Sequence, residues 1–156
     1  MEHSKIKNII IGILAVLLLA AVGFIAWYST RPAAPELERS VVSLAPTPTG
    51  QQAPDGIQIP GYPQLAADSA TGVVSVMFQN PEGNPCYFKI DLVLQDTGET
   101  IYKSGLLEPG TGIENPKLGT IPDPGVYSAV IVYNTRSLTD NSPMNGASIQ
   151  TELTVQ

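Results

Sequence analysis

Few residues in this chain have the type and spacing that catalysis requires. Asp96-Thr97-Gly98 spells the motif in which two aspartates from paired halves share one proton in an aspartic peptidase. A domain of this size could supply one half of a homodimeric peptidase. The neighbours argue otherwise: Gln95 precedes the aspartate and Glu99 follows it, where that motif normally follows apolar residues and runs on into Ala or Ser. Between apolar runs ending at Leu94 and resuming at Thr100, Asp-Thr-Gly is also what a hairpin turn needs, with glycine supplying positive φ. The turn is the preferred reading.

Cys86 is the only cysteine, so a reactive thiol, a lipidation site and an intermolecular bridge are the chemical options. The only histidine, His3, lies before a long apolar block, so the remainder of the chain has no Ser-His-Asp, Cys-His or His-ligated metal chemistry. A lone cysteine without an activating base is expected to be a small buried hydrophobe. Asp91, Asp96 and Glu99 gather near one predicted hairpin end and could hold calcium. They lack EF-hand spacing, and solvated turn charges are the plainer expectation. Tyr62, Tyr87, Tyr102 and Tyr133 could line a sugar or peptide platform, or pack at strand edges with their hydroxyls hydrogen-bonded. No catalytic, cofactor-binding or metal-binding residue is assigned, and the chain is expected not to be an enzyme.

The elements that would position these residues begin with residues 9–28, IIIGILAVLLLAAVGFIAWY. Twenty such residues in a helix reach about 30 Å, the thickness of a hydrocarbon core. Trp27 and Tyr28 fall where an interfacial aromatic belt would lie. A cleavable signal is the competing reading. However, the run exceeds the usual apolar length of about 7–15 residues, and Ala21-Val22-Gly23 lies inside it rather than after it. An uncleaved single-pass anchor is expected, with residues 1–8 as a cytoplasmic tail and the bulk of the chain extracytoplasmic. Residues 62–156 hold four basic and ten acidic side chains and so carry the whole net charge of -6. No basic patch is available to neutralise phosphates, and nucleic-acid binding is not expected.

Residues 29–61 include Pro32, Pro35, Pro46, Pro48, Pro54 and Pro60 among Ala, Ser, Thr and Gln. This composition predicts a disordered, Pro-rich flexible linker, although Val41, Val42 and Leu44 offer some apolar surface for docking. From Tyr62 the pattern changes to period-2 alternation. Val74, Val76 and Phe78 share one face; so do Phe88, Ile90, Leu92 and Leu94, and again Ala147, Ile149, Thr151, Leu153 and Val155. Val126–Tyr133 is almost continuously apolar, as a central strand would be, and weaker strands fit Thr100–Ser104 and Gly112–Thr120. Six to seven short strands with regular turn signals predict an all-β immunoglobulin-like antiparallel β-sandwich over residues 62–156. Asp123-Pro124-Gly125-Val126-Tyr127 is similar to the tyrosine corner of such domains, though their Cys and Trp hallmarks are absent.

A wider resemblance rests on Asn80-Pro81-Glu82-Gly83-Asn84-Pro85-Cys86-Tyr87-Phe88, Tyr102-Lys103-Ser104-Gly105-Leu106, Pro109-Gly110, Gly125-Val126-Tyr127 and Asn145-Gly146-Ala147. In these the chain resembles small membrane-anchored proteins of Gram-positive bacteria, which carry an N-terminal span, a Pro-rich spacer and one β-rich module. Some of them are encoded among conjugative elements. The resemblance implies location and architecture, and no activity. The expected function is a membrane-tethered extracytoplasmic binding or scaffolding module in a cell-envelope or conjugation-type assembly, touching lipid through residues 9–28 and a protein partner through its domain. The alternatives are a carbohydrate-binding module and a dimeric aspartyl peptidase using Asp96.

Overall fold

The computed structural model describes residues 2–30, 35–45 and 56–156. The chain separates into two compact units, the N-terminal helix and the domain that follows it. Helix α1 runs Glu2–Ser29 and takes in both the apolar block and the charged tail before it. Its stretch Ile6–Ser29 is long and apolar enough to cross a membrane. Hydroxyls close its last turn. Ser29 Oγ donates to Ile25 O at 2.8 Å and Thr30 Oγ1 donates to Trp27 O at 3.0 Å, adding acceptor bonds to the final turn.

The domain is built from strands β1 (Val42–Ser43), β2 (Gln64–Ala67), β3 (Met77–Asn80), β4 (Cys86–Leu94), β5 (Thr100–Leu107), β6 (Thr111–Glu114), β7 (Gly125–Ser137) and β8 (Pro143–Val155). They form a five-stranded sheet in the order β2-β8-β7-β4-β5 and a three-stranded sheet in the order β1-β6-β3. The apolar run from Val126 is the middle strand of the larger sheet, where both neighbours cover it. The alternation in β4 is strict: Cys86, Phe88, Ile90, Leu92 and Leu94 are buried, and the residues between them are half-exposed. Across the core they meet Val74, Phe78 and Ile113 from the smaller sheet side, together with Ile131, Tyr133 and Leu153.

One pairing departs from the expected all-antiparallel arrangement. β2 runs parallel to β8, with Leu65 opposite Leu153 and Ala67 opposite Val155. This places the first strand of the sheet beside the last, a long-range pairing with no local turn signal.

The linker reading is revised for the residues described. Leu37 forms a parallel bridge with Leu106 of β5, and β1 pairs antiparallel with β6. Ile57 and Ile59 pack on the core, and between them Gln58 N donates to Asn84 Oδ1 at 2.8 Å and Gln58 O accepts from Asn84 Nδ2 at 2.9 Å. Tyr133 OH donates to Pro60 O at 2.8 Å. The folded domain therefore takes in Pro35–Ala45 and Gly56–Gly61 as well as the strands from Tyr62 onward. Composition missed this because most of the bonds that hold these segments are made by main chain, which carries no side-chain signature. The rest of the expected linker, residues 31–34 and 46–55, lies outside the described residues.

Candidate functional site

The structure disperses most of the residues that the sequence grouped as chemistry. Asp96 sits at the exposed tip of the β4–β5 hairpin. Gly98 N donates to Leu94 O at 2.9 Å and Leu94 N to Glu99 O at 2.9 Å, and Gly98 adopts φ of 72°. These are the bonds and the backbone conformation of a turn. Cys86 is fully buried as a free thiol, and burial pushes its pKa upward, away from thiolate chemistry. Asp91 lies within β4, away from Asp96 and Glu99 at the tip. Among the described residues no group of three or more His, Cys, Asp or Glu side chains could hold a metal ion.

The tyrosines do not make a platform. Tyr102 and Tyr133 are buried, and Tyr62 is half-buried against Phe78 at 5.3 Å between ring centres, nearly edge-on. Phe88 meets Tyr133 edge-on at 5.4 Å. Burial, helped by the neighbouring Glu38 and Asp91 carboxylates, pushes the Tyr102 phenol well above its ordinary range. Burial does the same to Tyr133, beside Tyr62. Of the four, Tyr87 alone lies on the outward face of the larger sheet, opposite Arg136.

That outward face gathers apolar and charged side chains from three strands. The alternation that buries Phe88, Ile90 and Leu92 turns Tyr87, Lys89, Asp91 and Val93 the other way. On β7 the matching outward residues are Ser128, Val130, Val132 and Asn134. Register then sets them side by side: Val93 opposite Val130, Asp91 opposite Val132 and Lys89 opposite Asn134. Beyond them, Gln150 and Ser148 of β8 lie opposite Val130 and Val132, and Lys103 of β5 lies opposite Asp91. The result is a patch of three valines with polar and charged side chains around it. The patch has an apolar centre and a polar rim.

Asp91 lies within this patch. Its Oδ2 accepts from Asn134 Nδ2 at 3.1 Å, while its Oδ1 is turned inward, buried and without a hydrogen-bond partner among the described residues. Toward the far end of β7, Lys89, Asn134 and Arg136 line a cleft of about 320 Å³ with Pro143 and Met144 of β8. Arg136 Nη1 donates to Asn141 O at 2.9 Å, which closes the tip of the β7–β8 hairpin and fixes the guanidinium at the cleft edge. The alternation of Phe88, Ile90, Leu92 and Leu94 by itself puts Lys89 and Asp91 on the other face of β4. It does not pair them with Val132 and Asn134, because cross-strand register is not a local property.

A second polar cluster is buried. Asn80 Nδ2 donates to Cys86 O at 2.9 Å and Leu107 O at 3.0 Å, and Asn84 Nδ2 donates to Asn80 Oδ1 at 2.8 Å and to Gln58 O. Its amides are occupied by main chain and by each other, so its role is to join loops rather than to receive a ligand. Compared with protein-family models, curated proteins and solved structures, the chain matches none.

Proposed function

We propose that this chain is a membrane-anchored, non-enzymatic binding or scaffolding protein whose domain acts outside the cytoplasm through the open face of its five-stranded sheet. The observation that carries the reading is the patch of Val93, Val130 and Val132 ringed by Lys89, Asp91, Lys103 and Asn134. An apolar centre excludes water on contact, and the charged rim selects and orients the partner. Helix α1 would tether the domain to lipid, with the tail before it in the cytoplasm. The resemblance to Gram-positive membrane-anchored proteins favours a location in the cell envelope, where an envelope or conjugation-type assembly would supply the partner.

An immunoglobulin-like fold is part of the same proposal. It is supported by the parallel edge strand β2 beside β8 and by Tyr127, whose hydroxyl donates to Asp123 O at 2.7 Å in the manner of a tyrosine corner. The carbohydrate and peptidase alternatives draw less support, since three of the four tyrosines turn into the domain and Asp96 occupies a turn.

A photocrosslinking side chain placed at Val130, in the full chain in its native membrane, tests the proposal. Capture of one protein partner is expected from Val130 and not from the hairpin tip at Asp96. Equal labelling from both positions would remove the sheet face as the binding surface. Protease added to intact, wall-stripped cells should remove the domain and spare residues 1–8; a protected domain would reverse the orientation.

A further inference from the structure

The segment Glu36–Leu44 lies along the edges of both sheets. Glu38 N donates to Leu106 O and Leu106 N donates to Glu36 O, each at 2.9 Å. Further along, β1 pairs with β6 and Leu44 N donates to Gly110 O at 2.9 Å. One side chain fixes the register. Glu38 Oε2 accepts from Gly105 N at 2.7 Å, while its Oε1 accepts from Arg39 N, Ser40 N and Ser40 Oγ.

The hold combines these hydrogen bonds with partial apolar burial. Leu37, Val41 and Val42 keep 44%, 38% and 37% of their surface exposed and Leu44 is half-buried, so no side chain of the segment is sealed into the core. Net hydrogen bonds are individually weak, and a segment held this way opens more easily than the core. The receiving edge is nevertheless shaped for it. A Cβ on Gly105 would stand 2.8 Å from both Cα and N of Glu38 and 3.2 Å from the Leu37 carbonyl carbon. Its three nearest neighbours would thus all belong to the docked segment.

Recognition of this kind, by strand addition to a sheet edge, reads main chain and one carboxylate. It does not distinguish a chain's own segment from the identical segment of a second copy. Eleven residues, 45–55, separate this segment from Gly56, a contour of at most about 40 Å. Copies held on one membrane by α1, as proposed above, would meet at high effective concentration.

We propose that the Gly105–Leu107 edge of β5 is a strand-exchange site, at which Glu36–Leu44 of a second copy replaces the chain's own segment and links two domains. The anchor reading enters only through the concentration of copies; the edge and its occupant do not depend on it.

The test uses the full chain in lipid vesicles, mixing isotopically light and heavy copies, with a photocrosslinking side chain at the exposed position 37. Crosslinked species joining a light to a heavy copy, attached within residues 103–107, are expected. Crosslinks confined to single copies at high protein-to-lipid ratio overturn the proposal. Gly105→Ala should lower crosslinks to β5, within and between copies, at least tenfold while the domain keeps a cooperative melt. Light–heavy species that persist at full yield in that variant place the dimer contact elsewhere and equally overturn it. Flotation with the vesicles reports the anchor separately, so its failure is distinguishable from failure of the exchange.

Discussion

Asn84 donates from Nδ2 to Asn80 Oδ1 at 2.8 Å, and through this pair the loop after β3 is tied to β4, β5 and the segment before β2. Asn80 is fully buried, so each group it leaves unpaired on mutation loses water as well as its partner. Asn80→Leu should therefore cost about 3 kcal/mol or more, because Cys86 O, Leu107 O and the Asn84 amide all lose a bond. Urea unfolding of the domain measures this. A loss below about 1 kcal/mol would mean that water replaces the amide.

The position of the domain boundary gives a second prediction. A fragment of residues 35–156 should unfold cooperatively and be more stable than a fragment of residues 62–156 by at least about 3 kcal/mol. The shorter piece lacks the packing of Ile57 and Ile59, the Pro60 carbonyl that receives Tyr133, and the Glu38 anchor. Equal midpoints in urea would show that these segments add nothing to the core.

At the hairpin tip, Asp96→Asn should change stability by less than about 1 kcal/mol, since both side chains suit a turn. Gly98→Val should cost about 1–3 kcal/mol, although open space surrounds the position, because φ of 72° strains a β-branched residue. Loss of a cleavage activity in Asp96→Asn with the fold intact would restore the peptidase reading.

Acid should release the Glu38 segment before it unfolds the core. Burial alone would raise the Glu38 pKa, but hydrogen bonds from Gly105 N, Ser40 and Arg39 N together hold it below its ordinary 4.5. A lowered folded-state pKa means that the contribution is complete above the ordinary value and fades as pH falls from 4.5 through the lowered value. Amide exchange at Gly105 and Leu106 should accelerate across that interval while Ile131 stays protected. Glu38→Gln should show fast exchange at Gly105 already at neutral pH.

Gly146 lies under the Tyr133 carbonyl oxygen, too close for any Cβ, at the point where the β7–β8 register shifts between Tyr133 and Thr135. Because the obstruction is backbone, Gly146→Ala should displace the strand and cost about 1–3 kcal/mol. The displacement should reach the cleft and broaden the amide signals of Asn134 and Arg136 in NMR spectra. Unchanged spectra would show that the bulge absorbs the methyl.

Much of this architecture is legible in the sequence where side chains alternate on a two-sided element. Phe88 to Leu94 and Ala147 to Val155 announce their strands because one face meets core and the other does not. The β4–β5 turn is equally legible, since Asp-Thr-Gly has a local conformational meaning. What stays hidden depends on partners distant in sequence. Gln64–Ala67 reads as nothing in particular until β8 lies beside it, and Glu36–Leu44 docks mainly through main chain. The valine patch is half legible: Val93, Val130 and Val132 are visible as apolar residues, but only register brings them together.

The parallel pairing of Leu65 with Leu153 also governs when the domain can form. As the chain emerges from a ribosome, β2 can make only its local contacts, the Ala67–Val74 bridge and the bond from Ser75 N to Ala66 O, until β8 has appeared, and sheets closed by such distant pairs assemble slowly. Leu65 gains its neighbour strand only then, so the five-stranded sheet is completed by the arrival of β8 and not before.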